Sequence, residues 1–199
     1  GFTDLARRTL TEARALTPLD EVDRSTLAAL DERLGLELET HEARADLLSV
    51  NGIASDLHSI REVYDLMPQS GDDDWAMIAR RLQAVPAAID GWFGSQQAAV
   101  GAGLPLARRQ AEWLAEQCRS WAGAGGYFDV LGDAAGARPA SLTAGLSAGL
   151  AVAKAAFWAV AERIEAELLP QASEVDAVGR ERYLLASRGF LGTSIDIDQ

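Results

Sequence analysis

Apolar residues recur every three or four positions through most of the chain, the spacing of helices that bury one face. The clearest run is Leu27, Leu30, Leu34, Leu38, His41, Ala45 and Leu48. It predicts one buried stripe on a long helix that starts at Asp20 or Ser25 and runs to Ser49, ended by Asn51-Gly52. Ahead of it, Thr3 is placed to cap a first helix that stops before Pro18, because the residue preceding a proline is disfavoured in the α conformation. Further on, Asp56 is placed to cap a short helix through His58, Ile60, Val63, Tyr64 and Met67, which Pro68 ends.

The run QSGDDD then punctuates the chain, with Asp72 or Asp73 as cap and acidic residues where a helix dipole favours them. Trp75, Ile78, Ala79, Leu82 and Val85 form the next stripe, and Pro86 suits the first turn of a separate helix reaching Val100. Pro105 opens another, with Leu106, Trp113, Leu114, Cys118 and Trp121 facing inward. GAGGYFDVLGDAAGARPA reads as loop around a short apolar piece. A long helix is expected over residues 141–169, up to Pro170, with Gly145 and Gly149 giving it a face that a neighbouring helix can approach closely. A last helix is expected over residues 173–188.

No two-residue alternation bounded by turn signals is present, so strands are expected to be few or absent. Stripes without a sheet must bury one another. The expected architecture is all-α, with about seven or eight helices packed as one helical domain over residues 1–199 and the two long helices in its core. His41 lies on a stripe and is expected to be buried, and His58 to be the more exposed of the two.

Composition narrows the functional classes. Of 199 residues, 48% are hydrophobic and 24% charged, enough apolar material for a core. Lys and Arg number 18 against 30 Asp and Glu, a net charge of −12 that disfavours nucleic acid and anionic membranes as partners. The most apolar window, 140–161, carries Ser141, Thr143, Ser147 and Lys154 and runs into Glu162, Arg163 and Glu165, which favours a buried helix over a membrane span. The first sixteen residues lack the apolar stretch of a signal peptide, and the expected location is the cytoplasm. The chain opens on Gly1 rather than Met, which leaves a lost upstream signal open.

Candidate chemistry is sparse. One cysteine, Cys118, excludes an internal disulfide and a multi-cysteine zinc site, and is expected to be a small core residue. Gly145-Leu146-Ser147-Ala148-Gly149 matches the G-x-S-x-G nucleophile elbow, but that motif needs a strand feeding a strained turn, and here it sits inside a helical pattern. His41-Glu42 begins like H-E-x-x-H, but Ala45 stands where the second histidine belongs. His58 and Glu62 share a helix face, and two ligands do not make a metal site. Asp72 to Asp74 lack calcium-loop spacing and read as a helix start. No catalytic and no metal-binding residue is therefore assigned. The segments around Arg61 and Tyr64, and around Arg182 and Tyr183, mix charged and aromatic residues densely. A solvated face explains such segments. The other reading is the polar wall of a cleft, since arginine and tyrosine can hold a carboxylate or a peptide backbone.

The stretches LELETHEARADLL, SDLHSIREVYDLMP, DDDWAMIARRLQAVPAAIDGW, ARRQAEWLAEQCRSWAG and DAVGRERYLLASRGFLGTSIDID, taken in order, resemble the bacterial family called domain of unknown function 885. Members of that family are much longer and look like helical zinc peptidases of the gluzincin type, with the metal motif in the C-terminal half. The resemblance implies that this chain is a segment of a longer protein whose C-terminal half is absent here, with no metal ligand of the family among residues 1–199. It implies a non-catalytic helical scaffold that covers or lines a substrate cleft. Zinc would belong to the full-length protein and no cofactor to this segment. The implied partners are the rest of the chain and a peptide or other small substrate. The alternative is a self-sufficient helical binding or interaction module without enzymatic activity. Arg61, Tyr64, Arg182 and Tyr183 are the candidate cleft wall, expected to converge on one concave surface.

Overall fold

A computed structural model describes residues 1–104 and 106–198. Among the described residues there are eight α-helices: α1 (Phe2–Arg14), α2 (Glu21–Glu42), α3 (Asp56–Leu66), α4 (Asp72–Gly101), α5 (Arg108–Ala122), α6 (Tyr127–Ala134), α7 (Ala140–Arg163) and α8 (Arg180–Leu191). The fold is all-α: among the described residues the only β pairing is an isolated parallel bridge between Ala107 and Ser173. The chain divides into two compact units, Gly1–Leu47 with Ala177–Gln199, and Leu48–Asp176.

In the smaller unit, α1 packs on α2 and buries Ala6, Leu10 and Ala13. Gly1 rather than Thr3 caps α1. Asp20 caps α2, its side chain accepting a hydrogen bond from the Asp23 N–H at 2.9 Å. The expected stripe on α2 is only half-buried at Leu27, Leu30, Leu34 and Leu38, and Leu36 is its one buried residue. The helix also ends sooner than the pattern suggests. Ala43 and the left-handed Arg44 (φ 53°) turn the chain, so His41 falls in the last exposed turn, its Nδ1 2.8 Å from a carboxylate oxygen of Asp46. Helix α8 joins α2 through Arg188, whose Nε and Nη2 donate to Glu32 at 2.7 Å while Nη1 donates to Glu39 at 2.8 Å.

The larger unit is built on α4 and α7. Pro86 does not divide α4, which runs unbroken for 30 residues. A proline inside a helix loses one hydrogen bond and crowds the carbonyl four residues back. Here the stripe continues on both sides of it, through Trp75, Ile78, Leu82, Val85, Ile89 and Phe93, and its burial against α7 outweighs the local defect. In α7, Leu146, Ala153, Phe157 and Val160 are buried; Gly145–Gly149, the match to the elbow pattern, lies within this helix, as the periodicity requires. After Arg163 it passes through a π-helical turn, Ile164–Leu168, and a 3-10 turn, Leu169–Gln171, where Pro170 removes a backbone donor. By length and composition Ala140–Gln171 could cross a membrane, a test that core helices also pass, and here it contacts α4, α5 and α6.

Three further expectations are corrected. Tyr127–Ala134 is a helix rather than a loop, because Phe128 and Leu131, three apart, are both buried. Residues 172–179 are not helical, and α8 starts only at Arg180. The Ser173 N–H donates to the Leu106 carbonyl at 2.7 Å and the Arg108 N–H to the Ser173 carbonyl at 2.9 Å, which takes up the backbone groups a helix would use. Trp113 is 47% exposed rather than inward. Pro105, expected to open α5, lies outside the described residues; α5 begins at Arg108.

Candidate functional site

Helix α3 of the larger unit holds two of the four candidate residues. Its start is fixed by Ser55, not Asp56. The Ser55 N–H donates to Nδ1 of His58 at 3.1 Å, and the Ser55 hydroxyl lies 2.8 Å from the same nitrogen. Because the backbone N–H must donate, Nδ1 is the acceptor and the ring proton sits on Nε2. His58 is 6% exposed and meets Trp121 edge-on at 5.0 Å. The expected order of the histidines is thus reversed, since a capping role draws His58 inward while the early end of α2 leaves His41 in solvent.

One turn along, Arg61 donates from Nη1 to Asp65 at 2.8 Å and from Nη2 to Glu62 at 3.1 Å. Its guanidinium lies 4.5 Å from the Tyr127 ring centroid and 5.7 Å from that of Trp121. The Tyr127 hydroxyl donates to Asp65 at 2.7 Å, and burial together with that carboxylate pushes the phenol well above its ordinary range. Arg61, Asp65 and Tyr127 form a closed network that leaves the guanidinium little capacity for a ligand, although Nε is buried without a partner.

Tyr64 has a different environment. It is 1% exposed, burial pushes its phenol up to about 12, and no described residue hydrogen-bonds its hydroxyl. It lines a groove of about 340 Å³ between α3 and α4. Ile60, Val63, Ala84, Val85 and Ala88 supply the apolar surface, and the exposed residues Asp56, Ser59 and Arg81 complete the lining. Arg81 forms no ion pair with a described residue.

Sequence reasoning passed over Arg81, which reads as one more charge on the polar side of α4. A signal was available: Arg81, Ala84 and Ala88 share a helix face on which small side chains leave room for a ligand.

The other two candidates stand on α8 in the smaller unit. Tyr183 is 51% exposed, and Arg182 is half-buried with Nη1 lacking a hydrogen-bond partner. Arg61 and Tyr64 thus belong to one compact unit, and Arg182 and Tyr183 to the other.

The soft and imidazole donors are committed elsewhere. Cys118 is fully buried and its thiol is raised to about 12 by burial, so it is not a thiolate at neutral pH. His58 is held in the α3 cap. Among the described residues no group of three or more His, Cys, Asp or Glu could hold a metal ion.

An all-helical protein in two units, with an apolar groove in the larger one, is the class these features define. A family model described as bacterial protein of unknown function (DUF885) matches residues 2–199, and the chain belongs to that family. No curated protein matches it.

Proposed function

We propose that this chain is the non-catalytic helical half of a zinc-dependent, metallopeptidase-like protein, in which it covers or lines the substrate cleft. The observation that carries the reading is the family match over residues 2–199, joined to the commitments of the zinc-capable side chains. A catalytic zinc takes three protein ligands and an open position. With His58 capping α3, Cys118 protonated in the core and His41 beside Asp46, the residues of this segment do not fit that group. Zinc chemistry would therefore come from elsewhere in the longer chain, which is the segment's principal partner, with a peptide or other small molecule as substrate. With a net charge of −12, nucleic acid and membranes are not its partners, and we place it in the cytoplasm.

Arg61 and Tyr64 in the larger unit, and Arg182 and Tyr183 in the smaller, remain the proposed cleft-wall residues; the Tyr64 hydroxyl, Arg61 Nε and Arg182 Nη1 are donors without a partner among the described residues. The second reading, a binding module without enzymatic activity, draws support from the same groove.

Peptide hydrolysis by the intact protein, with and without a zinc chelator, separates the two. The scaffold reading expects chelator-sensitive cleavage by the intact protein and no stoichiometric zinc on residues 1–199 in equilibrium dialysis. Submicromolar zinc binding by residues 1–199 that His41→Ala abolishes would sink it. An intact protein free of peptidase activity would favour the module.

A further inference from the structure

We infer that the groove between α3 and α4 binds a small apolar carboxylate, gripped at its charged end by the Arg81 guanidinium and the Tyr64 hydroxyl. Tyr64 is almost completely buried and its hydroxyl has no partner among the described residues, yet the oxygen is not sealed off, so it opens on the groove that Tyr64 lines and is free to bond a ligand there. The phenol stays protonated at neutral pH and offers a donor, so the missing partner is an acceptor. Arg81 lines the same groove as Tyr64 and carries a charge that no described residue neutralises. A donor and a cation lining one groove suit a carboxylate.

The rest of the groove sets the body of the ligand. Ile60, Val63, Ala84, Val85 and Ala88 present an apolar surface, and about 340 Å³ lies at the lower end of the range for small-molecule sites. Asp56 lies eight residues before Tyr64 on α3, roughly 12 Å along the helix at 1.5 Å per residue. Its carboxylate, which accepts from the Ser49 hydroxyl at 2.9 Å, repels a second negative charge at the far end. The fitting ligand is a monocarboxylate with an aliphatic or aromatic tail. The site is independent of zinc and of hydrolysis, so failure of the peptidase reading leaves it standing.

Calorimetric titration of the intact protein with octanoate, octanamide and suberate tests it. Octanoate should bind one to one with a dissociation constant on the order of 1 mM or tighter. Octanamide and the dicarboxylate suberate should each bind more weakly than octanoate. Arg81→Gln and Tyr64→Phe should each weaken octanoate by about tenfold, the usual worth of a hydrogen bond to a charged group. Arg81 is exposed, so its variant reports on binding without disturbing the fold. Tyr64→Phe should melt at or above the temperature of the parent protein, because it removes a hydroxyl with no protein partner. Absence of saturable octanoate binding, or binding that both substitutions leave unchanged, overturns the proposal. So does a marked fall in the melting temperature of Tyr64→Phe, which would mean that the hydroxyl is already bonded within the fold.

Discussion

Gly149 of α7 lies so close to Leu82 of α4 that a β-carbon added to it would stand 2.9 Å from the Leu82 Cβ and 3.0 Å from the Ala79 carbonyl oxygen. The two central helices of the larger unit touch here with no room for a methyl group. Gly145, one turn earlier, has open space around its own β position. Gly149→Ala should therefore destabilise the protein by about 1–3 kcal/mol through overpacking. Gly145→Ala should stabilise it by about 0.5–1 kcal/mol through helix propensity alone. Denaturant unfolding of the two variants checks the opposite signs.

Pro86 tests whether α4 is held by packing rather than by its own sequence. Replacing it with alanine restores a backbone donor toward the Leu82 carbonyl inside an already continuous helix. The expected gain is about 1–2 kcal/mol, below the ~3 kcal/mol helix-interior penalty because the native structure has relaxed around the ring. A loss of stability on Pro86→Ala would mean that the proline's shape is used in the packing.

The cap of α3 gives a spectroscopic prediction. With Nδ1 of His58 accepting from the Ser55 backbone, long-range nitrogen–proton correlation spectra should show the Nε2–H tautomer. Ser55→Ala keeps the backbone donor but removes the hydroxyl 2.8 Å from Nδ1, and should cost about 1 kcal/mol, the usual net worth of one hydrogen bond.

Acid should loosen the smaller unit and the α6–α7 contact through two carboxylates. The Arg188 guanidinium holds Glu32 below its ordinary value of 4.5, and the Lys154 ammonium, at 2.6 Å, holds Asp129 below 3.8. A depressed carboxyl stabilises the fold fully above its unfolded value and loses that contribution as the pH falls through its folded one. Unfolding midpoints measured from neutral pH downward should thus fall below about pH 4.5, and Glu32→Gln with Asp129→Asn should flatten that fall.

Cys118 should resist thiol reagents in the native protein and react fully once the chain is unfolded. The side chain is buried and its thiol is raised to about 12. A colorimetric thiol assay with and without denaturant reads the difference.

The periodicity of apolar residues settled the all-α class and the face that α4 and α7 bury, because a stripe of 3.6-residue spacing is a property of the local chain. It also placed Cys118 in the core and kept Ser147 out of a nucleophile elbow. What a proline does, by contrast, depends on what lies across from it. Pro86 looked like a helix start and became a helix interior once the stripe on both sides was covered by α7. The histidines exchanged environments for a similar reason: an early turn at Arg44 left His41 in solvent, and the cap of α3 drew His58 inside. The candidate pairs Arg61–Tyr64 and Arg182–Tyr183 were legible as dense polar-aromatic segments. The Arg61–Asp65 pair, four apart on α3, was within reach of the sequence, but tertiary structure alone decided that Tyr127 closes the network over them while Tyr64 is left with an unused hydroxyl. Partners such as Tyr127 come from other helices, and the spacing of residues along one helix encodes only neighbours on that same helix.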